Sequence, residues 1–268
     1  MNTLSQTIEN LVLRYPQELI PLKYFDNSTL TSPIVPQPKY FFRGERSAKW
    51  ETSKSTYSRN LHGKPIFEEV NYLVTGIHLP TLEIINNYSL YLFLREALWN
   101  ISIVDRKKQH PKIEESIAGL MQHYGFDTGF VDVTSDLLVA AHFAACGVPG
   151  DIGQIMVLET QNVADQYFDL TTLFGNRPKL QSSFVLSGTN ELDLKSNEFA
   201  IDYKPKWYQF ELTEYDRNRF INPELLSSSN DEVIPEIISW YDSHIANNDA
   251  ISFEVKTYLT GKINALTS

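Results

Sequence analysis

The chain has 268 residues, 42% hydrophobic and 21% charged, a balance that suits a soluble globular protein with a sizeable core. Its formal net charge of −10 argues against a nucleic-acid partner, because no dense Lys/Arg cluster offsets it. One cysteine excludes an intrachain disulfide and a multi-cysteine metal site, and no apolar run reaches the roughly 18 residues of a membrane span. The N-terminus lacks the basic start and apolar run of a signal peptide, so a cytoplasmic location is expected.

In chain order, Leu4, Ile8 and Leu11 fall at helical spacing and predict a helix from Thr3 to Leu13, ending near Pro16. Pro33, Pro36 and Pro38 then argue against helix, and "KYFFRGE" reads as a short aromatic strand ending at Gly44. Ile66 to Ile103 is mainly helical in pattern, broken by Pro80, and Ile113 to His123 is a further amphipathic helix that Gly125 can cap. Thr134 or Ser135 can cap the next helix, over roughly Asp136 to Cys146. Its apolar face is expected to be core, with Cys146 buried and His142 on the outer side. "GQIMVLE", "KLQSSFVLS" and "KWYQFELTE" read as strands, Asp231 to His244 as a helix, and "AISFEVKTYL" as ambiguous. Helices gather in the first half and strands in the second, which predicts an α+β fold.

There is no phosphate-binding Gly-rich loop, no Gly-x-Ser-x-Gly and no His-Glu-x-x-His, and the six histidines lack metal-ligand spacing, so no metal is expected. The tryptophans Trp50, Trp99, Trp207 and Trp240 are expected to pack rather than to form a stacking platform. Two patterns remain. Arg43, at a strand end beside Gly44, suits capture of phosphate or carboxylate, or equally an ion pair within the protein. Asp132 and Thr134 are two apart and project to one face, just before a helix N-terminus that favours anions. Spacing alone favours a plain N-cap for Thr134.

Phe42-Arg43-Gly44, Trp50, "STYSRN", "QHYGFDTGFVDVTSDLLVAAHFA" and "NRPKLQSSFVL" together resemble the FRG domain family, named for its Phe-Arg-Gly motif. The resemblance covers most of residues 40 to 215 and makes His123, with Tyr124 beside it, a signature position for ligand binding. Gly129, Phe130 and Ser183 depart from the family pattern. More distantly, Arg43, then Thr134 with Ala140 and Phe143, is similar to the motif order of arginine-type ADP-ribosyltransferases.

That distant resemblance implies a split, mixed or antiparallel sheet. It also implies NAD as substrate rather than as a tightly bound cofactor, held by Arg43 and Gly44, with Thr134 bracing Arg43 or the nicotinamide ribose. A carboxylate should then stabilise the oxocarbenium-like transition state. Gln181 stands where that acid is expected, which leaves Asp132, or Glu211 in Gln209-Phe-Glu211, as the working acid. Glu211 reads more simply as an edge-strand surface charge, and His123 as a helix-end histidine bonded to a carbonyl.

Three readings follow. The first is an ADP-ribosyltransferase or NAD glycohydrolase, with a protein acceptor and a setting such as bacterial antiphage defence or toxicity. The second is a catalytically inert nucleotide-binding sensor, and the third is a protein-interaction module. The expected architecture is one domain over residues 1–268. Residues 1–120 form a mainly helical portion carrying the Arg43 strand, 121–215 a β-rich cleft region, and 216–268 a C-terminal helical closure.

Overall fold

The computed structural model describes residues 1–23, 34–54, 119, 122–164, 166–170, 176–186, 192–226, 231, 233–249 and 251–267. The helices expected over Ile66–Ile103, most of that over Ile113–His123, the "STYSRN" match and Trp99 lie outside the described residues.

Helix α1 (Leu4–Arg14) opens at Thr3 with a reciprocal cap. The Gln6 N–H donates to Thr3 Oγ1 at 3.3 Å and the Thr3 N–H donates to Gln6 Oε1 at 3.0 Å, so two orphan donors of the first turn are satisfied. Strands β1 (Leu19–Lys23) and β2 (Ile34–Pro38) pair antiparallel as a small sheet of their own. Next come β3 (Tyr40–Glu45), β4 (Val131–Thr134), helix α2 (Leu137–Ala145) and β5 (Ile152–Glu159). They are followed by β6 (Tyr167–Asp169), α3 (Asn176–Leu180), β7 (Ser183–Leu186), α4 (Asn197–Tyr203) and β8 (Lys206–Glu211). Helices α5 (Glu214–Phe220), α6 (Val233–Tyr241) and α7 (Phe253–Thr267) complete the chain.

The main sheet has the order β6-β7-β4-β3-β5-β8, and every pairing in it is antiparallel. The fold is α+β. The sheet is nearly cut in two. β3 runs beside β5 for six residue pairs and β4 beside β7 for four, yet β3 and β4 share the single pair Phe42↔Thr134. Beyond that pair the two halves part, and a gap opens between Arg43–Glu45 and Val131–Val133.

Side-chain alternation builds a core on each face of the sheet. Phe42, Ile155, Val157 and Phe210 point toward α1 and α2, where they meet Leu4, Ile8, Leu11, Leu137, Ala140 and Ala144. Phe41, Val131, Val133, Met156, Leu158, Phe184 and Leu186 face the other way, onto Leu194 and Phe199. Arg43 and Glu45 share the Phe41 face by the period of two.

Helix α2 differs from its sequence reading. Its cap is Asp136, whose carboxylate accepts the Leu138 N–H at 2.7 Å, so neither Thr134 nor Ser135 is the cap residue. The helix is buried on most of its circumference, because β3 packs on one side and α1 and α5 on another. His142, expected outside, is therefore buried, and its Nδ1 accepts the Asn222 N–H at 3.0 Å. Burial holds its imidazole below the usual histidine value against the opposing pull of a backbone hydrogen bond from the Phe220 region. Cys146, expected inside, is exposed where the helix stops.

Two C-terminal readings are also sharpened. "KLQSSFVLS" begins helical, since Lys179 and Leu180 close α3, and the strand starts only at Ser183. "AISFEVKTYL" lies at the start of α7, whose buried Val255, Leu259, Ile263 and Leu266 keep the 3.6-residue period.

Candidate functional site in the split of the sheet

The gap between β3 and β4 is a half-open cleft of about 290 Å³. Arg43, Glu45, Arg46, Asp132, Gln181 and Ser183 supply its polar lining, and Phe42, Trp50, Val139 and Phe143 supply apolar and aromatic wall. That mixture of apolar wall with a few convergent polar groups is characteristic of small-molecule sites, and the volume sits near the small end of their range.

The split leaves backbone groups without ladder partners, and Arg43 fills one such vacancy. Its Nη1 donates to the Asp132 carbonyl oxygen at 2.7 Å, bridging the two halves where the ladder has stopped. Its Nε–H points to Glu45 Oε1 at 3.4 Å. Arg43 thus forms an ion pair within the protein, one of the two roles open to it from the sequence, and it also lines the cleft. Among the described residues Nη2 has no hydrogen-bond partner, which leaves part of the guanidinium fork for a ligand.

Glu45 was not singled out from sequence. Its side chain is 1% exposed and is held by Ser53 Oγ, by Gln154 Nε2 at 2.7 Å, by Arg43 and by Lys195 Nζ at 3.3 Å. Burial works to raise its carboxyl, but Arg43, Ser53, Gln154 and Lys195 together hold it below the ordinary value, so it is ionised. Lys195 also donates to the Trp50 carbonyl, while Asp193 Oδ1 accepts the Ser53 N–H at 2.8 Å. These bonds staple residues 50–54 to residues 193–195. Trp50 lines the cleft, and the Arg46 guanidinium lies 5.5 Å from its ring centroid. The signal for Glu45 was in the sequence: an acid two residues beyond Arg43 in a strand must share its face.

Opposite, Asp132 keeps 42% of its side chain exposed, while its Oδ1 is buried with no hydrogen-bond partner among the described residues. His123 Nε2 is 3.7 Å from that oxygen. The His123 ring is held between Gln181 Oε1 on Nδ1 at 2.9 Å and Ser183 Oγ on Nε2 at 2.8 Å. Side chains therefore hold this imidazole, in place of the carbonyl expected for a helix-end histidine. Gly125, with φ of 86°, ends the turn behind it in the left-handed conformation that glycine favours.

Thr134 does not brace Arg43. Its hydroxyl donates to the Gln181 carbonyl at 2.7 Å and accepts the Asp136 N–H at 3.0 Å, locking β4 to the turn before β7. Tyr124 is fully buried and donates to Asp231 at 2.9 and 2.8 Å, so it supports the His123 loop from behind and does not reach the cleft. Gly44 serves as a contact surface: a Cβ there would lie 1.8 Å from the Ala140 carbonyl oxygen, so only glycine lets α2 press against β3. Glu211 stands apart, exposed on edge strand β8 and paired with Ile152 two strands from the gap. Gln209 is exposed on the same strand. The structure thus brings together Arg43, Gly44, Asp132, Thr134 and Gln181, with His123 behind them, and leaves out Tyr124 and Glu211.

Cys146 lies at the rim, and packing around its thiol raises it above the ordinary cysteine value despite nearby Arg46 and Arg217. It is a neutral thiol, unlike an activated nucleophile. No helix among the described residues is long and apolar enough to cross a membrane.

The family model of the FRG domain matches residues 38–149, a span that includes β3, β4 and α2 but stops short of Gln181 and Ser183. No curated protein and no solved structure matches the chain.

Proposed function

Starting from a chain that carries an FRG domain over residues 38–149, we propose that the split in its sheet binds NAD or a related nucleotide. The observation that carries this reading is Arg43, which lines the cleft while held across the gap by the Asp132 carbonyl and along its own strand by Glu45, with Nη2 left over among the described residues. Two cations, Arg43 and Arg46, line the cleft with two carboxylates, Glu45 and Asp132, and Lys195 from outside helps Arg43 to neutralise Glu45, so Arg46 and the open part of the Arg43 fork are left to meet an anion. Phosphate oxygens would meet Arg43 and Arg46, and a planar ring would lie against Phe143 or Trp50. A volume of about 290 Å³ suits one nucleotide half, with the remainder of a dinucleotide extending through the open side.

The finer reading is cleavage of NAD, with ADP-ribose released or passed to a protein acceptor, as in a toxin or an antiphage enzyme. Its support is the order of motifs along the chain together with the presence of one carboxylate able to do the work. Glu45 is occupied by four partners, whereas Asp132 lines the cleft with 42% of its side chain exposed and accepts no side-chain hydrogen bond on Oδ1, which is turned toward His123. Positioned there, it would stabilise the ribose cation as nicotinamide leaves. The inert-sensor alternative draws on Gln181, whose amide is spent on His123 and on the Leu225 carbonyl at 2.7 Å and has no charge to offer.

Nicotinamide release from NAD separates the two. An enzyme should lose roughly 10²-fold or more of that release in Asp132→Asn. Binding of NAD without release, with and without candidate acceptor proteins, would leave the sensor.

A further inference from the structure

Ser183, His123 and Gln181 make a connected unit whose hydrogen-bond directions fix one another. Gln181 Nε2 donates to the Leu225 carbonyl oxygen at 2.7 Å, so its Oε1 is the atom turned to His123. An amide oxygen only accepts, so His123 Nδ1 carries the proton in the 2.9 Å contact. With the ring neutral, Nε2 holds a lone pair to which Ser183 Oγ–H can donate at 2.8 Å, and Asp132 Oδ1, 3.7 Å from the same nitrogen, is placed to stabilise the imidazolium formed when that proton moves. Ser182, at φ 44°, lies between Gln181 and Ser183 and takes a left-handed conformation that a non-glycine residue rarely adopts. This turn lets Gln181 and Ser183, on either side of it, both reach one imidazole. Ser183 and Gln181 line the cleft together with Arg43 and Arg46.

We infer that Ser183 is a nucleophile in this cleft, with His123 as its base and Gln181 as the group that sets the tautomer. A hydroxyl, a base within hydrogen-bond reach and a third group orienting that base are the parts such catalysis requires. The electrophile is a phosphate ester or anhydride of the nucleotide class, a choice that rests on the reading of the cleft given above. Arg43 and Arg46 would hold its non-bridging oxygens. In the step, Ser183 Oγ bonds to phosphorus and the P–O bond to the leaving group breaks, its electron pair going to the leaving oxygen. The proton passes from Oγ to His123 Nε2 and on to that oxygen. This step at phosphorus is separate from the loss of nicotinamide at the ribose carbon considered above.

The test uses the full chain and a fluorophosphonate, whose P–F bond breaks as the Oγ–P bond forms. Peptide mapping should place the adduct on Ser183 and find none in Ser183→Ala. His123→Gln should slow labelling by about 10²-fold. Gln181→Leu should also slow it and shift its pH profile, with the fold checked by circular dichroism; this variant keeps the test decisive if His123→Gln does not fold. An unlabelled Ser183 in the folded wild type, or equal rates in wild type and His123→Gln, would overturn the inference. ADP-ribose should protect Ser183. Heat of nucleotide binding without any Ser183 label removes the nucleophile alone, and labelling that ADP-ribose does not slow removes the nucleotide as its electrophile.

Discussion

Glu45 holds a full charge where 1% of its side chain is exposed, which is tolerable only because four partners surround it. Removing the charge would leave Arg43 and Lys195 facing each other across a neutral amide. Glu45→Gln should therefore cost about 3 kcal/mol of stability, read from denaturant unfolding. The pH dependence has a definite sign. The folded carboxyl sits below its ordinary value of 4.5, so its stabilisation is complete above that value and is lost as pH falls through the lower, folded one. Wild type should thus lose stability more steeply than Glu45→Gln in this acid range. Equal slopes for the two proteins would show that Glu45 is not ionised in the fold. This pair was open to sequence reading, since strand period alone places Arg43 and Glu45 together. The orphaned Asp132 oxygen was not, because it follows from how far β4 diverges from β3.

Strand β3 and helix α2 form the scaffold on which the cleft edges are placed, and their approach depends on one residue. A methyl group at Gly44 would overlap the Ala140 carbonyl and crowd the Ala144 N–H at 2.8 Å, both of them backbone that can yield only by shifting the helix. Gly44→Ala should lower stability by about 1–3 kcal/mol or more and blunt ligand binding as Phe143 and Val139 move away. Thermal melting checks the first effect and calorimetry the second; an unchanged melt would mean that the helix slides without cost. Elements with a clear period were legible: α1, β3, β5 and β8 appear where apolar spacing puts them. The misreadings about α2 have a common cause. It is apolar almost all round, so sequence offers no preferred face, and which side meets α5 is decided by tertiary packing. That packing buried His142 and exposed Cys146.

At the scale of the molecule, two three-stranded halves joined at Phe42↔Thr134 enclose a site that neither half contains alone. One half contributes Arg43 and Glu45, the other Asp132 and Ser183, with Gln181 at its entry and His123 clamped by it. The motif order of the distant resemblance pointed to the segments of Arg43, Asp132 and Gln181 as meeting, and they do line one cleft. It could not show that Glu211 would fall two strands away, since strand order follows from pairing partners far apart in the chain. The central claim is that the gap between the halves takes a nucleotide through Arg43. Calorimetric titration of the full chain with NAD and with ADP-ribose tests it most directly. Saturable binding at one site is predicted, weakened roughly 10- to 100-fold in Arg43→Lys, which keeps the charge but loses the planar fork. A folded wild-type protein that gives no heat with either ligand would contradict it.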